Sequence, residues 1–376
     1  MTKPKLRVGL IGSGFMGKAH AFGYANAARV FELPYELELH TLADISDEAA
    51  KKAAAALGFS RATSDWRALA ADPDIDVVNI TAPNALHKEM ALAAIAGGKH
   101  VYCEKPLAPL AADAREMAEA AETAGVKTQV GFNYLCNPMF GLAREMIAGG
   151  ELGEIRGYRG VHAEDYMADS AGPFTFRHDL AGGGALADIG SHALATAEFL
   201  MGPAAGPITR VMGDCVTMIS ERPDGKGGTR TVEVDDVGRA FLRFASGATG
   251  SIEGNWIATG RKMQHDFEVY GTKGALIFTQ ERFNELHFYS TEDRRGRQGF
   301  RRIEAGPDHP PYGLFCVAPG HQLGFNDLKA IEVAGFLDAV AGRRAEPFPF
   351  RAGLRIQTLV ETIHASSRAG AWREVG

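Results

Sequence analysis

The sequence predicts two domains of different class: an α/β domain with a parallel sheet, followed by an α+β domain with a large, mainly antiparallel open sheet. Apolar strand-like runs alternate with Ala-rich helical stretches in the first part of the chain, which is typical of βαβ units. Later strands follow one another across turn signals without helices between them, which favours an antiparallel sheet. The length of 376 residues also exceeds what one hydrophobic core usually supports. We therefore expect domains at residues 1–131 and 132–376.

The elements of the first domain follow from hydrophobic spacing. Each predicted strand is a short apolar or β-branched run, and each predicted helix carries apolar residues at helical spacing. The predicted strands are residues 7–11, 36–43, 77–81, 100–103 and 127–132. The predicted helices are residues 16–28, 47–57, 86–96 and 110–124. This alternation predicts a parallel sheet with helices on both faces.

The second domain is predicted to contain consecutive strands, with helices before and after them. The predicted strands are residues 155–164, 210–219, 230–244, 248–256, 264–270, 275–279 and 285–290. The predicted helices are residues 138–148, 191–201, 326–341 and 352–369. Residues 165–184 and 293–322 predict irregular segments, the second of them a long ordered loop rich in Arg, Pro and Gly.

Composition and charge narrow the classes of function. The chain is 45% hydrophobic and 23% charged, which is ordinary for a globular protein. Its net charge of −6 predicts no general attraction to nucleic acid or to an anionic membrane. The four cysteines are too few and too widely spaced for a disulfide framework or a CxxC zinc site, and no apolar run is long enough to span a membrane. We therefore expect a cytoplasmic protein without a metal site and without a nucleic-acid or membrane partner.

A phosphate-binding pattern lies between the first strand and the first helix. The sequence Gly-Ser-Gly-Phe-Met-Gly begins at Gly12, and the flanking strand and helix make the pattern specific. Gly12 permits the tight turn, Gly14 lets the backbone approach a pyrophosphate, and the third glycine lets the helix pack on the strand. Phe15 and Met16 begin the helix, whose free N–H groups attract phosphate. The first domain is therefore predicted to be a Rossmann domain that binds a dinucleotide.

An acidic residue, Asp44, follows the second predicted strand. At this place a carboxylate accepts hydrogen bonds from the ribose hydroxyls and repels a 2′-phosphate, so the sequence favours NAD over NADP. The alternative is that Asp44 only caps the next helix. Ser46 and Asp47 can serve as caps instead, which weakens that alternative.

Polar residues follow the ends of two more strands. Thr81 ends the third predicted strand, with Asn84 and His87 just after it, and Asn133 and Tyr134 follow the fifth. Ligands of open parallel sheets bind outside the carboxyl ends of the strands, so we expect these residues near the cofactor or the substrate. For His87, a capping role at the next helix is an equal alternative.

Several short motifs occur in an order that resembles one family. After the glycine loop come Ala82-Pro83-Asn84, Glu104-Lys105-Pro106, and Gly183-Gly184 leading to Asp188-Ile189-Gly190-Ser191-His192. Together they resemble the Gfo/Idh/MocA family, the relatives of glucose–fructose oxidoreductase and inositol dehydrogenase, over the whole chain. The resemblance implies a substrate domain whose open sheet forms subunit contacts, and a catalytic centre formed by Lys105, Asp188 and His192. It also places Glu104 beside the cofactor.

The residue types at these three positions suit the oxidation of an alcohol. Asp188 and His192 are four residues apart, so at a helix start they share one face. Hydride transfer from an alcohol carbon requires loss of the hydroxyl proton, and a histidine is a suitable base near neutral pH. Asp188 can orient the imidazole and stabilise its cation. Lys105 can polarise the same oxygen or relay its proton, and the sequence is compatible with either group taking the proton first.

Further polar residues precede the glycines at 182–184. His162, Asp165 and Arg177 supply donors and acceptors that a polyol needs, although each also has a structural explanation. His321, in the late loop, is predicted to contact substrate across a subunit interface; an ordinary surface histidine is the alternative. The strands at 239–244 and 248–257 carry apolar residues that a second subunit would cover, so we expect a homodimer or homotetramer.

These observations predict an NAD-dependent dehydrogenase that oxidises a secondary or anomeric hydroxyl of a cyclic polyol or sugar. Candidate substrates are an inositol, such as scyllo- or myo-inositol, or an aldopyranose, as for the inositol and pyranose-sugar dehydrogenases of the family. One alternative is a relative that uses bound NAD for transient oxidation during glycoside hydrolysis or epimerisation. The other is a non-catalytic NAD-binding regulator, which should lack part of the Lys–Asp–His set that this chain retains.

Overall fold

The computed structural model describes residues 3–376, which form two compact units. The first unit contains the residues up to Cys136 together with Gly324–Arg355, and the second contains Asn137–Leu323 and Ile356–Gly376. The predicted division at residue 131 follows sequence order, whereas these units are discontinuous. The reason is that a late helix, Phe325–Val340, packs on the helix Phe15–Val30 of the first unit.

The helices and strands are numbered in chain order. The helices are α1 (Phe15–Val30), α2 (Asp47–Leu57), α3 (Trp66–Ala71), α4 (His87–Ala96), α5 (Ala111–Ala124), α6 (Pro138–Ala148), α7 (Ser191–Ala205), α8 (Tyr312–Phe315), α9 (Phe325–Val340) and α10 (Phe350–Ala369). The strands are β1 (Lys5–Ile11), β2 (Glu36–Ala43), β3 (Arg61–Thr63), β4 (Val77–Ile80), β5 (His100–Cys103), β6 (Thr128–Val130), β7 (Ile155–Ala163), β8 (Ile208–Val216), β9 (Glu221–Pro223), β10 (Thr229–Thr231), β11 (Val237–Phe244), β12 (Thr249–Asn255), β13 (Gln264–Gly271), β14 (Gly274–Thr279), β15 (Glu285–Ser290), β16 (Arg301–Glu304) and β17 (Arg373–Glu374).

The first unit is built on a six-stranded parallel sheet with the order β3-β2-β1-β4-β5-β6. This is the strand order of a dinucleotide-binding Rossmann fold, which confirms the predicted class. The central strands are buried, as Val8, Val77 and Ile80 show with no exposed surface. Neither β3 nor α3 was predicted, because three and six residues are too short to show a periodic pattern.

The second unit is built on a nine-stranded sheet with the order β16-β15-β14-β13-β7-β12-β11-β8-β17. All of its pairings are antiparallel except that of β7 with β12, which confirms the mainly antiparallel prediction. Helix α7 packs against β7, β12 and β13. Between α7 and the loop before it lies a π-helix, Leu186–Gly190.

The sheet of the second unit has one apolar and one polar face. Ala240, Leu242 and Ile252 are buried within the unit, so they need no second subunit to cover them. Across the other face, Arg239 Nε lies 2.8 Å from Glu253 Oε2. Phe241 on that face is 62% exposed. The apolar residues that point inward are therefore covered by the chain itself, contrary to expectation. Phe241, on the other face, is left exposed.

The predicted strand at 230–244 is divided into two in the structure. β10 pairs with β9 as a separate hairpin, and β11 begins only at Val237. Asp236, at the break, is fully buried and accepts hydrogen bonds from Trp256 Nε1 and from two main-chain N–H groups. The partners of this carboxylate are too distant in sequence to be predicted. Within residues 3–376, no helix combines the length and apolar character needed to cross a membrane.

Candidate active site

The glycine loop after β1 has a geometry that fits a dinucleotide. Gly12 has a φ of +95°, which favours glycine, and a Cβ there would lie 3.0 Å from Thr81 O. A Cβ on Gly17 would lie 2.2 Å from Gly12 O, which is a backbone clash. A Cβ on Gly14 would have no described atom within 4 Å. Two of the glycines are therefore required by the loop itself, while Gly14 leaves open space where α1 begins.

Thr81 and Phe15 lie beside this loop in different ways. Thr81 Oγ1 donates hydrogen bonds to Ile11 O (3.1 Å) and Gly12 O (2.9 Å), so its side chain holds the loop in place. Phe15 is 75% exposed, and its ring stacks on Phe325 of α9 with centroids 5.7 Å apart. Met16, the next residue of α1, is half-buried. Sequence analysis did not identify Phe325, because it lies far along the chain.

Asp44 links the end of β2 to the glycine loop. Its Oδ2 accepts hydrogen bonds from the main-chain N–H of Ser13 (3.0 Å) and from the Ser13 hydroxyl, and Oδ1 accepts from Ile45 N (2.7 Å). Helix α2 is capped by Ser46, whose Oγ accepts from Ala49 N at 3.2 Å. Capping of α2 therefore does not explain Asp44. Its half-buried carboxylate lies beside the loop, as expected for a group that binds ribose.

Asn84 and His87 differ in exposure. Asn84 is half-buried and begins a 3₁₀ turn after β4. His87 has no exposed surface, and its ring nitrogens lie 3.0 Å from Pro106 O and 2.8 Å from Ala82 O. Burial lowers the pKa of His87, while the two carbonyl groups act in the opposite direction. His87 therefore connects the loops that carry Ala82 and Pro106, and its predicted contact with the cofactor stays a prediction.

Glu104 is buried at the end of β5, and Lys105 beside it is half-buried. Glu104 Oε1 lies 2.6 Å from His20 Nε2 and 3.1 Å from Lys329 Nζ, and Oε2 accepts a hydrogen bond from Lys105 N at 3.1 Å. Burial alone acts to raise the pKa of Glu104, but the charge of Lys329 and the hydrogen bond from His20 outweigh it, and the pKa lies well below its usual range. The carboxylate is thus fixed as an anion next to Lys105.

Asn133 and Tyr134 follow β6 in a 3₁₀ turn. Asn133 is 3% exposed, and its Nδ2 has no hydrogen-bond partner among the described residues. A buried donor without a partner is costly unless a ligand supplies an acceptor, so this amide fits a ligand contact. Tyr134 is half-buried, with its ring 6.2 Å from that of Phe325.

Asp188 and His192 lie in the second unit, where the π-helix passes into α7. Both are buried, at 8% and 5% exposure. Asp188 Oδ2 accepts hydrogen bonds from Tyr166 OH (2.7 Å) and Arg177 Nε (2.9 Å), both from the irregular segment before the π-helix. Two of the residues predicted for the site, Asp188 and Arg177, therefore form an ion pair in the structure. The second donor, Tyr166, comes from the same polar segment that is predicted to contribute to a polyol pocket.

Three histidine rings of the second unit lie close together. The ring of His192 is 5.3 Å from that of His162 and 6.0 Å from that of His265, measured between centroids. His162 Nε2 lies 2.9 Å from a Glu164 oxygen, and His265 Nε2 lies 3.1 Å from Thr196 Oγ1. Burial, with a smaller contribution from His162, lowers the pKa of His265 well below its usual range. Sequence analysis missed His265, although its alternation with Phe267 on β13 places it on the inward face.

Two predicted substrate residues have other partners in the structure. Asp165 accepts hydrogen bonds from Lys262 Nζ (2.7 and 2.9 Å) and from Gly260 N (2.9 Å), and the hydrogen bond from Lys262 lowers the pKa of Asp165. This carboxylate therefore holds the loop after β12. His321 is exposed, and its carbonyl oxygen accepts a hydrogen bond from Tyr312 OH. The predicted substrate contacts of Asp165 and His321 stay predictions.

A cluster of Cys215, Asp235 and His364 places three potential metal ligands within 4.8 Å of one another. His364 Nε2 lies 2.9 Å from Asp235 Oδ1, and Asp235 Oδ2 accepts a hydrogen bond from Leu186 N at 2.8 Å. Both carboxylate oxygens therefore have protein partners. The arrangement is that of an Asp–His hydrogen bond that holds the first residue of the π-helix.

Comparison with known families agrees with this geometry. Residues 6–132 match the oxidoreductase family with an NAD-binding Rossmann fold. Residues 140–277 match the GFO/IDH/MocA C-terminal domain. The two matches cover the glycine loop, Asp44 and Lys105, and the Asp188–His192 pair. They confirm the family expected from the motifs.

Several relatives resemble the chain over much of its length. Levoglucosan dehydrogenase of Pseudarthrobacter phenanthrenivorans is 37% identical over 98% of both chains. A structure of levoglucosan dehydrogenase in complex with NADH and L-sorbose covers 99% of both chains with a TM-score of 0.95. An NAD-binding oxidoreductase from Klebsiella pneumoniae is 42% identical over 99% of both chains, with a TM-score of 0.94. Myo-inositol 2-dehydrogenase of Thermotoga maritima is 26% identical over 77% of this chain and 80% of that protein. The chain belongs to the Gfo/Idh/MocA family, and it is an NAD-dependent oxidoreductase.

Proposed function

We propose that the protein oxidises a secondary or anomeric hydroxyl of a six-membered sugar or cyclic polyol, with Lys105, Asp188 and His192 as its catalytic residues. It is an NAD-dependent dehydrogenase of the sugar and polyol class, as its relatives acting on levoglucosan and myo-inositol are by name. The observation that carries the proposal is the buried Asp188, held by Tyr166 and Arg177, four residues before His192. A fixed carboxylate four residues before a histidine suits general-base catalysis on an alcohol, whereas a protein that only binds NAD has no need of it.

The first unit has the residues that NAD requires. We propose that the open space at Gly14 and the N-terminus of α1 receive the pyrophosphate, and that Asp44 binds the ribose hydroxyls. Asn84, Glu104 and Asn133 are the further residues proposed at the nicotinamide end. When bound, NAD supplies the hydride acceptor for the reaction.

The residues of this chain then move the proton. We propose that His192 accepts the hydroxyl proton, because a histidine is a suitable base near neutral pH. Asp188 is already fixed by two donors and can stabilise the imidazolium that forms. Lys105 polarises the hydroxyl oxygen as negative charge develops on it. His162, Arg177 and Tyr134 complete the proposed set of groups for the other hydroxyls of the substrate.

The substrate class is tested by a panel of levoglucosan, inositols, aldopyranoses and L-sorbose, assayed with NAD by NADH absorbance. The proposal expects a kcat/KM at least about tenfold higher for one member than for an acyclic polyol of equal hydroxyl count, since one extra fixed hydrogen bond contributes about that factor. His192→Gln is the matched control and should abolish the signal. Absence of net NADH with every cyclic substrate would refute the proposal. Consumption of a glycoside without net NADH would favour transient oxidation instead.

We also propose a cytoplasmic location and a homodimer or homotetramer. The face of the sheet that carries Phe241 is proposed to form the subunit contact. Opposite charges such as Arg239 and Glu253 alternate on it, and Phe241 is 62% exposed. A second copy offers the same pattern, so the two faces are self-complementary.

A further inference from the structure

A fully buried lysine, Lys329 of α9, lies behind the Glu104-Lys105 pair in the first unit. Its Nζ lies 2.7 Å from Glu332 Oε2, 3.1 Å from Glu104 Oε1 and 3.1 Å from Tyr102 OH. An ammonium group has three donors, and three acceptors surround this one. Lys329 and Glu332 have 0% and 1% exposure, so water does not screen these charges.

The other side of Glu104 is occupied by His20 of α1, which has no exposed surface. His20 Nε2 lies 2.6 Å from Glu104 Oε1, and His20 Nδ1 lies 3.0 Å from Asn79 Oδ1. Glu104 Oε1 thus lies within hydrogen-bonding distance of Lys329 Nζ and His20 Nε2, while Oε2 accepts a hydrogen bond from the main-chain N–H of Lys105. The buried cluster is therefore connected directly to the backbone of Lys105.

Two glycines outside the cofactor loop make room for this cluster. A Cβ on Gly131 would lie 2.5 Å from Glu104 Oε1, and one on Gly23 would lie 2.9 Å from Lys329 Cγ and 3.1 Å from Lys329 O. Distances of this size exclude any larger residue unless the charged side chains shift. The space that Glu104 and Lys329 occupy is thus provided by glycines at two separate places, one after β6 and one in α1.

The cluster is also energetically demanding. Removing one partner of a buried ion pair is strongly destabilising, whereas replacing the whole pair by apolar groups is often neutral. Burial acts to lower the pKa of Lys329, but Glu332 and Glu104 outweigh it and raise the pKa. A fold that needed only stability would be served by an apolar contact at this place. The retained charges therefore point to a role beside Lys105.

We propose that Lys329 is a positioning residue: it fixes the carboxylate of Glu104, which holds the main chain of Lys105 and so places the Lys105 amine for the reaction. The inference rests on the catalytic role proposed for Lys105. Its competitor is a purely structural role, in which Lys329 only balances the charges of Glu104 and Glu332.

Paired variants separate the two roles. Lys329→Met leaves two buried carboxylates without their lysine, whereas Lys329→Met with Glu332→Gln removes one charge of each sign and restores the balance. Under the proposal, the double variant regains most of the lost Tm but keeps a kcat about 10–100-fold below wild type, the effect of a misplacement of about 1 Å. Lys99→Met is the matched control, because Lys99 is 6% exposed and donates to Asp72 O at 2.7 Å, away from Glu104. It should lower the Tm without changing kcat.

The pH profile of kcat provides a readout that a structural role would not move. Without Lys329 the pKa of Glu104 rises, so the acidic limb of the profile should shift to higher pH in the double variant. The titratable groups that face the cluster are His20 and Tyr24 from α1, His87 from α4, Tyr102, Cys103 and Lys105 from β5 and its loop, Cys136 after β6, and Glu332 from α9. Lys99→Met should keep the wild-type profile.

Gly131→Ala provides a second test if the lysine variants fail to fold. It leaves Lys329 and Glu332 in place but displaces Glu104, so we expect kcat to fall at least about tenfold, again as for a 1 Å misplacement. Wild-type kcat and pH profile in the double variant, or in a folded Gly131→Ala, would overturn the inference. Wild-type turnover of Lys105→Met would instead refute the proposed function, so the two failures are distinguishable.

Discussion

Replacement of Asp44 by Ala should weaken NAD binding and reduce discrimination against NADP. The carboxylate is half-buried, with two hydrogen bonds from Ser13 and one from Ile45. A hydrogen bond to a charged group contributes about 1.5–3 kcal/mol. Loss of one such bond to the ribose corresponds to an increase in the Kd for NAD of about 10–100-fold, at 1.4 kcal/mol per factor of ten.

The same carboxylate should repel a 2′-phosphate. For a phosphate of about two charges at about 5 Å in water, the repulsion is about 1.7 kcal/mol, or roughly 15-fold in affinity. Asp44→Ala removes this repulsion, so the Kd for NADPH should fall or stay constant while that for NADH rises. Asp44→Asn should give an intermediate result, because it keeps an acceptor but loses the charge.

Fluorescence titration with NADH and NADPH measures both effects. Asp47→Ala is the matched control, because it removes an exposed carboxylate three residues away that accepts a hydrogen bond from Ser64 N. It should leave both Kd values within twofold of wild type. A wild type that prefers NADPH, or an Asp44→Ala variant with unchanged NADH affinity, would refute the role assigned to Asp44.

Three further predictions concern catalysis, pH and assembly. Lys105→Ala and His192→Ala should each lower kcat by about 10²–10⁴-fold, and the double variant by much less than the product, because the two groups act together; near-wild-type turnover in either would contradict their roles. The lowered pKa of His265 leaves the native state with fewer bound protons than the unfolded chain at acidic pH. Stability should therefore be full above about pH 6.5 and fall below it. His265→Gln should weaken the dependence of Tm on pH between pH 5 and 7. An unaltered slope would exclude His265 as the source. Light scattering should give at least twice the mass of one chain, and Phe241→Glu should reduce it; His321→Ala should raise the KM for substrate without changing that mass, and an unchanged KM would remove His321 from the site.

The sequence was sufficient for the features that depend on local spacing. The glycine loop, the strand that precedes it and the order of strands and helices in the first unit all follow from patterns within a few residues of one another. Ser46 as the cap of α2 is equally local. The Asp188–His192 spacing likewise identified two residues that the structure buries at one helix start.

Features that depend on distant partners could not be predicted in this way. Lys329 contacts Glu104 across 225 residues of sequence, and no spacing rule connects them. The division of the predicted strand at 230–244 depends on the buried Asp236, whose carboxylate partners lie just after β8 and just after β12. His87 shows the same limit: its place after β4 is local, but the position of its ring beside Pro106 O depends on a loop 19 residues away.

The stoichiometry of oxidised sugar to NADH tests the central claim most directly. The wild-type enzyme is incubated with excess NAD and a substrate identified from the panel, deuterated at the carbon that becomes the carbonyl, and both products are quantified by mass spectrometry. An NAD-dependent dehydrogenase should form one deuterated NADH for each molecule of ketone or lactone. Conversion of the sugar without accumulation of reduced cofactor, or with deuterium returned to the sugar product, would contradict the account.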